Sequence, residues 1–184
     1  MTEATLQADE PSDGALIARW RAGDERAATL LVERHAVAVG RFVASLGERA
    51  ELEEVVQDTF VRAFASLDGF RADSSLKTWL FTIARNLVRD RVRSRRRQRQ
   101  SVPIEDDHTV SEHDALDEVV ADETERRMRD AVERLSPMQR DVFSLRVAEG
   151  LSYKEIAQVL ESTEGAARVH YHNAMRAIKE FLDE

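Results

Sequence analysis

The chain has 184 residues, enough for one ordinary domain or two small ones, with 42% hydrophobic and 34% charged residues and only three prolines and seven glycines. Its lack of cysteine excludes disulfides and thiolate metal centres, and no run of about 18 apolar residues is present to form a membrane-spanning helix. The net charge of -8 speaks at first against a nucleic-acid partner, but the charge is segregated: Arg85, Arg89, Arg91, Arg93, Arg95, Arg96, Arg97 and Arg99 are opposed only by Asp90, whereas Ser101 to Glu125 hold no Lys or Arg.

Residues 1–13 read as a disordered acidic tail. They lack the basic start and apolar core of a signal peptide, so a cytoplasmic protein with no membrane insertion is expected. From 14 to 97 the apolar spacing predicts a helical block. ALIARWRAGDERAATLLVERHAVAVGRFVASLG gives two helices broken near Ala22-Gly23-Asp24, with Asp24 as N-cap. Leu30, Leu31, Val37, Phe42, Val43 and Leu46 are expected in the core, and His35 on the helix surface. The next helix, about Leu52 to Leu67, places Leu52, Val55, Val56, Phe60, Ala63, Phe64 and Leu67 at helical spacing. Its opposite face carries Glu53, Glu54, Gln57, Asp58 and Arg62, which by itself reads as a solvated acidic surface.

After a turn at Asp68-Gly69 and the loop FRADSS, with Ser74 or Ser75 as cap, LKTWLFTIARNLVRDRVRSRRR forms a long helix. At about 100° per residue, Leu76, Trp79, Leu80, Ile83 and Leu87 share one side, and Thr78, Thr82, Arg85, Arg89, Arg93 and Arg96 lie opposite. Arginines aligned on one helix face can track a phosphate backbone. Asn86, at the border of the stripe, either reads a base edge or is solvated.

Residues 98–115, with Pro103 and no apolar periodicity, read as a linker, and 116–184 as a second helical block. Two capping boxes stand in LSPMQRDVFSLRVAEGLSYKEIAQVLESTEGAARVHYHNAMRAIKEFL: Ser136 with Gln139, around Pro137, and Ser152 with Glu155. Val142, Phe143, Leu145 and Val147 fill the first of these helices, which Gly150 ends. Ile156, Ala157 and Leu160 are the buried side of the second. Only Glu161-Ser162-Thr163 separate it from the third, the short sharp crossing of a helix-turn-helix. There Ala167, Tyr171, Ala174, Met175, Ile178 and Leu182 point inward, while Arg168, Val169, His172, Asn173 and Arg176 point outward. In the major groove Asn173 suits adenine, Arg168 guanine or a phosphate, and Val169 a thymine methyl; the competing reading is a helical hairpin whose polar residues face water. No metal site or catalytic constellation emerges. His170 and His172 point about 200° apart on their helix, and Asp106, Asp107 and His108 fall in the linker, where no scaffold holds a metal shell.

Together the two blocks, over 14–184, resemble the extracytoplasmic-function sigma factors, the smallest bacterial sigma factors. ELEEVVQDTFVRAFASLDGFRADSSLKTWLFTIARNLVRDRVRSRRR is similar to the signature of the family's region two, the C-terminal block to region four, and the missing central domain also matches. The resemblance implies an all-α protein of two small helical domains joined by a flexible acidic linker, the C-terminal one containing the helix-turn-helix. It implies no enzymatic activity and no cofactor, with core RNA polymerase, promoter DNA and an anti-sigma factor as partners. Glu53, Glu54, Gln57, Asp58 and Arg62 would then dock on the clamp helices of the polymerase's largest subunit. Phe70, Arg71, Ser74, Ser75 and Asn86 would capture a flipped base of the minus-ten element, with Arg85, Arg89 and Arg93 on its backbone. Arg168, Val169, His172, Asn173 and Arg176 would read the minus-thirty-five duplex. Where family members commonly carry a small hydroxyl residue and further basic residues, this helix has Val169, His170 and Asn173 behind Glu164 and Ala166, a less basic surface. The alternative within DNA binding is a free-standing helix-turn-helix regulator whose first block senses a ligand or dimerises. The charge map also suggests that Glu105, Asp106 and Asp107 fold back onto the arginine stripe.

Overall fold

The computed structural model describes residues 10–100 and 123–183, and the regular structure in them is entirely helical. The N-terminal block contains α1 (Asp13–Arg21), α2 (Glu25–Ser45), α3 (Leu52–Ala65), a 3-10 turn (Leu67–Gly69) and α4 (Leu76–Gln100). The C-terminal block contains α5 (Glu123–Glu133), α6 (Pro137–Val147), α7 (Tyr153–Leu160) and α8 (Glu164–Leu182). Gln98 to Gln100 continue α4 rather than opening a linker. The remainder of the expected linker, with Glu105, Asp106 and Asp107, lies outside the described residues.

Helix boundaries follow from side chains that satisfy free backbone amides. Asp24 accepts the Arg26 amide at 3.1 Å and breaks α1 from α2. Both C-terminal capping boxes form, at Ser136/Gln139 and Ser152/Glu155, and Gly150, at φ 71°, provides the left-handed turn after α6. The end of the expected tail is anchored instead of free. Ser12 caps α1 through the Ala15 amide at 3.2 Å, and Arg34 donates to the Asp13 carboxylate at 2.7 Å and to the Pro11 carbonyl at 2.9 Å. His35, expected on the surface, is buried because its Nε2 meets the other Asp13 oxygen at 2.9 Å.

One apolar core runs through both blocks. Phe42 of α2 packs on Phe81 of α4 with ring centroids 4.9 Å apart, and the same cluster takes in Val142 and Leu145 of α6 and Ile156, Val159 and Leu160 of α7. The cause is that α7 lies along α4 while α6 touches α2. The side of α4 projected opposite Leu76 and Leu80 is therefore partly covered: Thr78 is buried, Thr82, Arg85 and Arg89 are half-buried, and the flank between the two sides, Phe81, Ala84 and Val88, is buried. Conversely, Leu30, Val37, Val147 and Met175, expected inside, are exposed. Val37 opens onto a groove between α2 and α3.

Candidate nucleic-acid interface

On α3, Glu53, Glu54, Gln57 and Arg62 are exposed and Asp58 is half-buried. Arg91 of α4 ties this acidic face down: it donates to Asp58 at 2.8 Å, pairs with Glu54 at 3.2 Å and also bonds Glu51. Beside Glu53 and Gln57 runs an apolar groove of about 640 Å³, lined by Val32, Val37, Leu52, Val56, Phe60 and Phe64 among others.

At the head of α4, Phe70 packs against Trp79 with centroids 5.0 Å apart and the rings tilted by 40°, both half-buried. The loop turns back through Ala72, which adopts a left-handed φ of 58°. Arg71 is exposed, Ser74 half-buried, and Ser75 is the cap, accepting the Thr78 amide at 3.1 Å. Asn86 is half-buried and Arg93 and Arg96 are exposed. Phe70, Arg71, Ser74 and Ser75 therefore share one edge with the start of the arginine helix.

The arginine stripe itself is divided. Arg85 is only 13% exposed along its side chain; it lies 4.0 Å from Glu161 and donates weakly, at 3.5 Å, to the Val159 carbonyl. Arg89 donates to Glu161 at 2.7 Å. Burial and the neighbouring Arg89 charge pull the Arg85 guanidinium below its ordinary value, while the Arg89 hydrogen bond and charge hold the Glu161 carboxyl below the usual range. Two further carboxylates reach across from the C-terminal block. Burial pushes the Glu155 carboxyl up, but bonds from Ser152, Thr78 and Ser75 outweigh it and hold it low, with Thr78 donating at 3.2 Å. Glu149, its side chain 1% exposed, accepts from Arg41 at 3.0 Å and from Lys77 at 2.8 Å, and Lys77 also reaches the Glu149 carbonyl at 2.9 Å. Sequence reading placed Glu155 in a capping box and missed its second role, along with Glu149, Glu161, Arg41, Lys77 and Thr78. The available signal was Glu161 itself, a charged residue in the short turn where glycine is common.

The outer face of α8 is open by contrast. Val169, His172, Arg168 and Arg176 are exposed and Asn173 is half-buried. Arg168 is held rather than loose: Glu164 accepts from it at 2.8 Å, and its guanidinium lies 5.0 Å from the Tyr153 ring, which also receives Arg146 at 4.9 Å. Among the described residues, no cluster of three His, Asp or Glu could hold a metal ion, and no helix is long and apolar enough to cross a membrane.

Residues 31–98 match the family model of Sigma-70 region 2, and 125–178 that of Sigma-70, region 4. The ECF RNA polymerase sigma-E factor of Haemophilus influenzae is 30% identical over 181 residues, covering 94% of this chain and 96% of that protein. The RNA polymerase sigma-H factor of Pseudomonas aeruginosa is 31% identical over 183 residues, covering 94% and 95%. Among solved structures, the sigma factor RpoE in complex with the anti-sigma factor NepR from Bartonella quintana superposes with a TM-score of 0.67 at 30% identity, over 84% of this chain and 96% of that one. CnrH in complex with the cytosolic domain of CnrY gives 0.68 at 30% identity, over 94% and 98%. The chain belongs to the extracytoplasmic-function family of RNA polymerase sigma factors, non-enzymatic subunits that bind core polymerase and direct transcription initiation at promoters.

Proposed function

We propose that the N-terminal block, 14–97, docks this sigma factor on core polymerase and holds the melted minus-ten strand, while 116–184 seats it on the minus-thirty-five duplex. The observation that carries this reading is the head of α4, where the tilted Phe70–Trp79 pair adjoins Arg71, Ser74 and Ser75 just before the helix that bears Arg85, Arg89 and Arg93. Aromatic rings and hydroxyls beside a basic helix suit an extruded base and its backbone, where stacking and phosphate contacts must offset unstacking of a few kcal/mol. Asn86 lies farther along the same helix, within the reading of a base edge. Arg168, Val169, His172, Asn173 and Arg176 are the duplex-reading set, with Arg168 pre-set by Tyr153 and Glu164. Glu53, Glu54, Gln57, Asp58 and Arg62 are the surface for the clamp helices, and the adjoining apolar groove supplies area that exposed charges alone do not.

The complexes of RpoE with NepR and of CnrH with CnrY support an anti-sigma partner for this chain as well, acting in the cytoplasm, where core polymerase is found. Reconstituted holoenzyme tests the division of labour. Arg85→Ala/Arg89→Ala/Arg93→Ala should keep co-purification with core while abolishing permanganate reactivity of the minus-ten strand. Glu53→Lys/Gln57→Ala should lose core binding. Full strand opening by the triple arginine variant would overturn the assignment of α4.

A further inference from the structure

Three carboxylates of the C-terminal block reach onto the N-terminal block: Glu149 onto Arg41 and Lys77, Glu155 onto Thr78, and Glu161 onto Arg89 with Arg85 nearby. The third is placed at a conformational disadvantage. Glu161 occupies the turn between α7 and α8 at φ 51° and ψ 46°, a left-handed geometry that glycine adopts freely and a glutamate does not. Strain of this kind persists where the surroundings hold it: here the backbone closes the end of α7, with the Ser162 amide donating to the Ala157 carbonyl at 2.9 Å, and the side chain is held by the two guanidiniums of α4. Its carboxylate meets Arg89 at 2.7 Å, in the way a phosphate oxygen would.

We propose that Glu161 is an internal substitute for DNA phosphate, which occupies Arg89 and Arg85 in the free chain and clasps α7 over the strand-binding face of α4. This rests on the reading of α4 as the minus-ten surface. The geometry makes the block selective. Glu161 engages Arg89 with Arg85 nearby and Glu155 accepts from Ser75, whereas Arg168, Val169 and His172 stay exposed. In the free chain two of the three backbone-holding arginines are thus already engaged, while the duplex-reading face is open. Glu149 sets the register of the clasp, because a carboxylate this deeply buried fits only where Arg41 and Lys77 both reach it.

Glu161→Gly is the direct test, since it removes the carboxylate and suits the left-handed turn, so misfolding does not confound it. Glu155→Gln/Glu161→Gly extends it, glutamine keeping the α7 capping box. The chain has no native cysteine, so Ala50→Cys/Lys179→Cys accepts a fluorescent pair that reports closure. The DNA probe is a labelled single strand of mixed sequence. Removing the Glu161 carboxylate should lower energy transfer and tighten strand binding by the free chain at least about fivefold, with the salt slope steeper by about 0.7 for each arginine released. Holoenzyme transcription should be unchanged. Unaltered energy transfer in both variants would overturn the clasp, and lower transfer without gain in strand affinity would overturn the occlusion. Failure of the underlying α4 reading shows separately, as undiminished strand opening by the triple arginine holoenzyme.

Discussion

Asp141 of α6 is half-buried, and burial pushes its carboxyl up to about 6, against the pull of Arg85 on α4 and of Arg140 on its own helix. Glu161 competes for the same Arg85 guanidinium, which limits the help that Asp141 receives. A carboxyl with a raised folded pKa binds its proton more readily when folded, so it penalises the folded chain above pH about 6 and relieves that penalty as pH falls toward the ordinary value of 3.8. The shift corresponds to at most about 3 kcal/mol. Chemical denaturation of the full chain should thus show stability increasing from pH 7 to about 4.5 through this group. Below that range the lowered Asp24, Glu155 and Glu161 carboxyls take up protons and their contribution is lost. Asp141→Asn should flatten the upper slope and raise stability at pH 7; a wild-type slope left intact in this variant would assign the effect to another group.

Among the elements, α7 carries the heaviest load for its length. Its eight residues include four that are buried, Ile156, Ala157, Val159 and Leu160, and it packs on both α8 and α4. So short a helix holds little intrinsic stability, and its first turn depends on the Ser152 and Glu155 box. Ser152→Ala should cost about 1 kcal/mol, and hydrogen exchange should place the lost protection in α7 while α2 and α3 keep theirs. Equal loss across all helices would show that α7 does not open locally. The box was legible in the sequence because capping chemistry is local and leaves a fixed spacing, and the α6–α8 order and turn followed from it. The second burial of α7 and α4 was not. Periodicity finds the apolar face of Leu76 and Leu80, but the wider buried face with Phe81, Ala84 and Val88 depends on tertiary packing, against α2 through Phe42 and against α7, a helix about seventy residues farther on. The same limit applies to His35, whose partner Asp13 lies on another helix. The candidate DNA residues were legible as a set of types, whereas their sorting into Arg85 and Arg89, engaged by Glu161, and open Arg93 depends on tertiary contact.

For the molecule as a whole, a shared core and charged contacts across the two blocks pull in different directions with salt. The apolar cluster that joins Phe42 and Phe81 to Leu145, Ile156 and Val159 is insensitive to ionic strength, while the half-exposed Arg89–Glu161 pair is screened within a Debye length of about 8 Å at physiological salt. Glu149 belongs with the first group, since its carboxylate is almost wholly out of water. Calorimetry of the wild-type chain should accordingly give a single unfolding transition at low salt, both blocks melting together. Glu149→Gln retains one acceptor for Lys77 or Arg41 but removes the charge, and Arg41, 55% exposed, can rehydrate. The cost should therefore be about 1–3 kcal/mol, below the usual penalty for breaking a buried pair. Because that loss falls on the junction alone, it should separate the melting of α5–α8 from that of α1–α4, and added salt should widen the gap. A single transition in Glu149→Gln at the wild-type midpoint would mean that the apolar core by itself couples the blocks, and that the buried carboxylate only sets their register.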